Sequence, residues 1–175
     1  MPETIKIAVT GPESTGKSDL SLALHAALEG SVWVPEYSRI YLEKYGPSYT
    51  CETLDTIAAG QWQSMEEALA AGPRILIADT EMTVMKVWSE FCFGHCSPFI
   101  LDLYARQEFD LYLLCDADLP WSYDPLREHP EKRGELLQWY KAALEKAGRR
   151  YVLISGSGEE RLQNALAVIH RETGL

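Results

Sequence analysis

The chain has 175 residues, 46% hydrophobic and 24% charged, an ordinary globular composition; a domain of that length buries roughly 70% of its unfolded surface and folds without metal or disulfide. A formal net charge of −10 repels polyanions, which argues against nucleic acid or an anionic membrane as the main partner and leaves small phosphorylated molecules held in a local positive pocket. No apolar run approaches the ~18 residues of a membrane-spanning helix, and "MPETIKIAVT" carries no basic region with a long apolar core behind it, so cytoplasmic residence is expected.

Residues 4–10, "TIKIAVT", are rich in β-branched residues and are stopped by Gly11, which predicts a strand. Residues 17–29 place Leu20, Leu24, Ala27 and Leu28 at helical spacing, with Gly30 as the stop. "SVWV" at 31–34 predicts a second strand halted by Pro35, and a helical region starts near Arg39 and fades at Gly46-Pro47. Leu54, Ile57, Ala58, Trp62 and Met65 share one face of a helix over 52–71. "RILIAD" at 74–79 is an apolar run suited to a strand buried on both faces. Helices over 83–91 and 98–107, a strand over 111–115, a helix over 135–147, a strand over 151–155 and a helix over 159–171 follow. Between them, 116–134 is polar, with three prolines and no steady period, as expected of a long loop. Five strands alternating with helices predict a three-layer α/β domain, a parallel sheet covered on both faces, with nothing dividing residues 1–175.

"GPESTGKS", residues 11–18, follows the first strand and opens the first helix. Gly11 and Gly16 free the backbone to approach an anion, and the N–H groups from Gly11, Glu13, Ser14, Thr15 and Gly16 through the helix start at Asp19 converge on it. Lys17 then reaches the β- and γ-phosphates, and the Ser18 hydroxyl holds Mg²⁺. A chain of this length matches the motif by chance roughly once in 150, and the flanking strand and helix tighten the match further. No Asn/Thr-Lys-x-Asp element for reading guanine occurs, so ATP is the expected donor.

Ligands of open α/β sheets collect beyond the carboxyl ends of the strands. That rule brings Glu36 and Asp79 to the rim that carries the glycine loop. Asp79 is placed to organise Mg²⁺, with a turn or cap residue as the alternative and Glu81 able to share or replace its role. Glu36 is placed to orient an acceptor hydroxyl or take its proton, with Tyr37 beside it. Arg39 pairs with a phosphate or with Glu36. Arg127 and Arg133, with Lys132, lie in the proline-rich loop, where a closing flap would neutralise the transferring group and exclude water; a solvated loop of paired charges is the plainer alternative. Cys92, His95 and Cys96 lack a second ligand pair and read as packing thiols, as do Cys51 and Cys115.

Taken together, "GPESTGKS", "VPEYSRIYLEKYG", "IAAGQWQSMEEA", "ILIADTE" before "VWSEFCFG", and "PWSYDPLREHPEKR" resemble the ribosylnicotinamide kinase domain of the NadR type over nearly the whole chain. The resemblance implies a P-loop kinase fold with strand order 2-3-1-4-5. It also implies transfer of the ATP γ-phosphate to the ribose 5′-hydroxyl of nicotinamide riboside, giving nicotinamide mononucleotide and ADP. Members of that family often carry a nucleotidyltransferase domain and sometimes a DNA-binding helix-turn-helix. With the glycine loop at residue 11, adenylylation and repressor activity are not expected to carry over. The family's Asp-Thr-Asp pattern stands here as Asp79-Thr80-Glu81. Trp62, Tyr37 and Tyr41 are available either to sandwich a nicotinamide ring or to fill the core. Outside the kinase class, an ATP-binding regulatory module without chemistry would share the cradle.

Overall fold

The computed structural model describes residues 3–175. In chain order it runs β1 (Ile5–Thr10), α1 (Lys17–Ala27), β2 (Ser31–Val34), α2 (Tyr37–Tyr45), α3 (Cys51–Ala70), β3 (Ile75–Asp79), α4 (Met82–Phe93), α5 (Pro98–Arg106), β4 (Leu111–Cys115), α6 (Arg133–Lys146), β5 (Tyr151–Ile154) and α7 (Gly158–Thr173). The strands form one parallel sheet of order β2-β3-β1-β4-β5, as the resemblance implied. The order reverses between β1 and β3, so the loop after β1 opens onto the crevice where such sheets bind ligands.

Alternation along the strands divides the core between the two faces. Ile75 and Ile77 point to the face covered by α1 and α7, together with Ile7, Val9, Leu24 and Ile169. Leu76 and Ala78 point the other way, onto Leu54 and Ile57 of α3, Met85 of α4 and Ile100 of α5. On that same side Ala8, Tyr112 and Leu114 pack against Val87 of α4 and Leu137, Tyr140 and Leu144 of α6. Both faces are covered, so β3 and β4 are buried at every position. Among the described residues no helix is long and apolar enough to cross a membrane.

Local chemistry sets most boundaries. Thr50 and Thr53 exchange bonds in a capping box that starts α3, and Ser97 caps α5 with Pro98 in its first turn. Two helices begin two residues earlier than their patterns predict, each where a distant partner holds the new first residue. α2 begins at Tyr37, where the backbone N–H donates to the side-chain oxygen of Gln61 on α3 at 2.8 Å. α6 begins at Arg133, whose guanidinium is tied to the carbonyls of Ser14 (3.0 Å) and Leu119 (2.7 Å). All four cysteines are free thiols, three half-buried and Cys115 buried.

Candidate active site

The loop between β1 and α1 needs its glycines. Gly11 sits at φ +134° and a Cβ there would stand 3.0 Å from the Cys115 carbonyl oxygen; Gly16, at φ +74°, would bring a Cβ to 2.9 Å from a Leu119 methyl. The resulting cradle is closed from below by its own bonds. Thr15 Oγ1 donates to the Pro12 carbonyl at 2.7 Å, and the Lys17 ammonium donates to the same oxygen at 2.8 Å. Lys17 is thus parked on the loop's backbone, within one side-chain swing of the space a phosphate chain would fill.

Asp79 ends β3 beside the cradle and is 1% exposed. Its Oδ2 accepts from the Ser18 hydroxyl at 2.5 Å, while its Oδ1 is buried without a partner. Burial, then the nearby charge of Glu36, push the carboxyl up to about 6, against the opposing pull of Ser18 and Lys17. A hydroxyl and a carboxylate with an idle oxygen form the hard, oxygen-only donor set that Mg²⁺ takes, so the residues present fit that ion.

Thr80, the next residue, takes φ +78°, a left-handed conformation that is an outlier for a β-branched residue. The kink separates Asp79 from Glu81. Glu81 is fully buried, accepting from Thr10 Oγ1 (2.7 Å), the Thr83 backbone N–H (2.7 Å) and Gln107 Nε2 (2.5 Å). It caps α4 and stays out of the cavity. The cap considered for Asp79 belongs to Glu81, and sharing of Asp79's role by Glu81 is corrected on this geometry.

A cavity of about 380 Å³ opens over the cradle, within the size range of small-molecule sites. Its floor is the stretch from Gly11 to Asp19, so Glu13, Ser14, Thr15, Gly16, Lys17 and Ser18 all line it. Glu36, Ser38 and Arg39 form one side, and Glu36 accepts from the Ser38 hydroxyl at 2.6 Å. The opposite wall is apolar, from Val84, Val87, Trp88 and Phe91 of α4 and Leu136 and Tyr140 of α6. Residues Asp124, Leu126, Arg127, Glu128 and His129 of the irregular segment make the roof.

Several residues sit differently from the expectation. The Tyr37 ring does not line the cavity: it lies against Gly60 of α3, where an added Cβ would come within 2.1 Å of it. Trp62 and Tyr41 pack with the core on that side. The aromatic surface comes instead from Trp88, Phe91 and Tyr140, whose helical spacing in sequence looks like ordinary core. Arg39 pairs with Asp124 of the roof at 2.9 Å and with Glu43 at 3.6 Å, not with Glu36. Arg127 donates to the Ser122 carbonyl at 2.6 Å and reaches Ser14 Oγ at 3.3 Å. Arg133 holds the Ser14 carbonyl from outside the cavity, its Nε buried and unpartnered. Lys132 turns away to Glu135. Both arginines therefore bear on Ser14, which itself adopts φ +56°.

Arg161 was not anticipated. Its guanidinium, nearly fully buried, donates to the carbonyl of Thr15 in the cradle, to Gly156 at 2.7 Å and to Asp118. The available signal was an arginine four residues before Ala165 on the buried side of α7.

Sheet order, glycine-lined loop and strand-end carboxylate together define a P-loop kinase fold. The chain belongs to the AAA domain family, whose model matches residues 6–161. It is 29% identical over 126 residues to the trifunctional NAD biosynthesis/regulator protein NadR of Salmonella typhimurium and to that of Escherichia coli, covering 69% of this chain and 30% of each relative. The chain thus spans about a third of the length of those curated relatives. A solved structure of NadR with NAD and AMP-PNP superposes with a TM-score of 0.82 at 22% identity, covering 98% of this chain and 50% of that one. NadR in complex with NR gives 0.84 at 21% with the same coverage. Thymidylate kinase from Ehrlichia chaffeensis gives 0.70 at 16%, covering 97% and 99%. At these identities the structural likeness establishes the fold.

Proposed function

We propose that the chain is an ATP-dependent nucleoside kinase that phosphorylates the 5′-hydroxyl of nicotinamide riboside, giving nicotinamide mononucleotide and ADP. The observation that carries this reading is the meeting, in one cavity, of the phosphate cradle, the Glu36 carboxylate and an aromatic wall, with Asp79 buried behind Ser18 at the cradle's edge. Lys17 leaves the Pro12 carbonyl to hold the β- and γ-phosphates. Ser18 and Asp79 would hold Mg²⁺, which when bound neutralises phosphate charge and fixes the chain in line for transfer. Glu36 orients the acceptor hydroxyl and receives its proton as the oxygen bonds to the γ-phosphorus and the bond to the β-phosphate oxygen breaks. Arg127, which lines the cavity, offsets the charge spreading over the γ-oxygens, while Arg133 steadies the cradle from outside through the Ser14 carbonyl.

Acceptor chemistry supports the particular substrate. Nicotinamide riboside carries a pyridinium cation, which an aromatic face stabilises and which Glu13, Glu36 and Glu128 around the cavity attract. Arg39 is already neutralised by Asp124, which favours an uncharged sugar hydroxyl over a nucleoside monophosphate at that end. The likeness to NadR, one of whose structures is a complex with NR, points the same way.

ADP release measured against a panel of nucleosides tests the reading. Release should depend on nicotinamide riboside, with nicotinamide mononucleotide identified by mass; ADP release indifferent to every nucleoside, or tight ATP binding with no transfer, would overturn it. Lys17→Ala should lower turnover by about three orders of magnitude or more. Trp88→Ala should raise KM for the nucleoside about tenfold while sparing KM for ATP, the ratio expected when one cation–aromatic contact is lost.

A further inference from the structure

The cavity rim carries a second cluster, drawn from segments far apart in sequence. Cys92, near the end of α4, lies 3.9 Å (Sγ···Nε2) from His129, and that nitrogen lies 3.9 Å from a carboxylate oxygen of Glu128. The sulfur, the nitrogen and the oxygen all fall within 4.8 Å of one another. In a tetrahedral zinc site, with Zn–S about 2.3 Å and Zn–N or Zn–O about 2.0–2.1 Å, ligand atoms stand about 3.3–3.6 Å apart. The two separations at 3.9 Å need to contract by about half an ångström to meet that spacing, and the sulfur–oxygen separation by up to about an ångström.

Its surroundings hold each donor in place. The Tyr49 hydroxyl lies 2.5 Å from the same Glu128 oxygen and 3.3 Å from the Cys92 sulfur. The Phe91 ring meets the His129 imidazole edge-on at 5.0 Å. Glu13 of the phosphate cradle accepts the backbone N–H groups of Glu128 (3.1 Å) and His129 (2.5 Å). Such outer contacts orient ligands and tune a metal site. The neighbours in sequence take no part: His95 faces the Phe93 carbonyl at 3.1 Å and Cys51 at 3.7 Å.

We propose that Cys92, Glu128 and His129 form a binding site for a thiophilic divalent cation, best fitted by Zn²⁺, that fastens the segment over the cavity to α4. A thiolate, an imidazole and a carboxylate select zinc over magnesium, whose preferred donors are oxygens alone. The two cations therefore divide between this rim and the Ser18–Asp79 pair. Through Glu13 the clamp also bears on the phosphate loop, so Zn²⁺ slows any reaction that requires the segment to move.

Metal-free full-length chain titrated with Co²⁺, then Zn²⁺, tests the site without ATP or acceptor, so its outcome is independent of the kinase reading. The expected result is one thiolate-to-cobalt charge-transfer band per chain, insensitive to Mg²⁺ and displaced by Zn²⁺. C92S should abolish the band and H129Q should weaken Zn²⁺ binding by more than about tenfold, with far-ultraviolet circular dichroism confirming that both are folded. H95Q and C96S should leave band and affinity unchanged. No thiolate band in the native chain, a band that survives C92S, or one lost in H95Q or C96S would overturn the proposal.

Discussion

Asp79 shows most directly how position changes the chemistry of one side chain. Its carboxyl is lifted from 3.8 to about 6 by burial and by Glu36. Between those values the folded protein holds a proton that the unfolded chain has released, so this group's contribution to stability falls as pH rises through that window. Asp79→Asn keeps an acceptor for Ser18 and removes the buried charge. It should stabilise the free protein at pH 8 by on the order of 2–3 kcal/mol, with the gain vanishing below about pH 4. Urea unfolding at the two pH values checks this; a variant equally or less stable at pH 8 would contradict the buried-charge account. The same group predicts an acid limb near pH 6 in kcat/KM, since the proposed Mg²⁺ site needs the ionised form. The tripeptide Asp79-Thr80-Glu81 was visible in sequence, but its division into one carboxylate held on Ser18 of the cradle and one helix cap was not. That division depends on the Thr80 kink and on Gln107, 26 residues beyond Glu81.

At the scale of elements, most helices and strands follow from local pattern, and the departures come where a distant side chain intervenes. The α3 stripe of Leu54, Ile57, Ala58 and Met65 is buried as its spacing predicts, because an amphipathic face must find cover. The start of α2 is different: a glutamine on α3 satisfies its first N–H, and the adjacent Tyr37 ring fills the notch at Gly60. Gly60→Ala should force that ring out and cost about 1–3 kcal/mol despite alanine's better helix propensity. Combining it with Tyr37→Leu should recover part of the loss, readable as non-additivity in denaturant unfolding; simple additivity would mean the ring and the notch are not in contact. The polar stretch after β4 was legible as a loop from its prolines. Its course over the cavity was not, because that course is set by Arg39–Asp124, by Arg127 and Arg133 on Ser14, and by Glu13 on the backbone of Glu128 and His129.

For the molecule as a whole, Arg161 connects the last helix to the first functional loop. Its buried guanidinium serves the carbonyls of Thr15 and Gly156 together with Asp118, and lysine cannot span that fan of acceptors. Arg161→Lys should cost about 3–5 kcal/mol in urea unfolding, because Asp118 and two carbonyls lose a buried partner. It should also raise KM for ATP, as the cradle loses its support; unchanged stability and KM would show that the tie is dispensable. What could be read along the chain was the alternation of strands and helices, the phosphate loop and the carboxylates at strand ends, since hydrophobic period, glycine placement and strand direction are local properties. What required the folded chain was the identity of the aromatic wall, the partners of the arginines and the pairing of Cys92 with His129. Those depend on crossings between segments separated by tens of residues, where side-chain direction is decided by packing on both faces of the sheet and by which buried polar group lacks a partner.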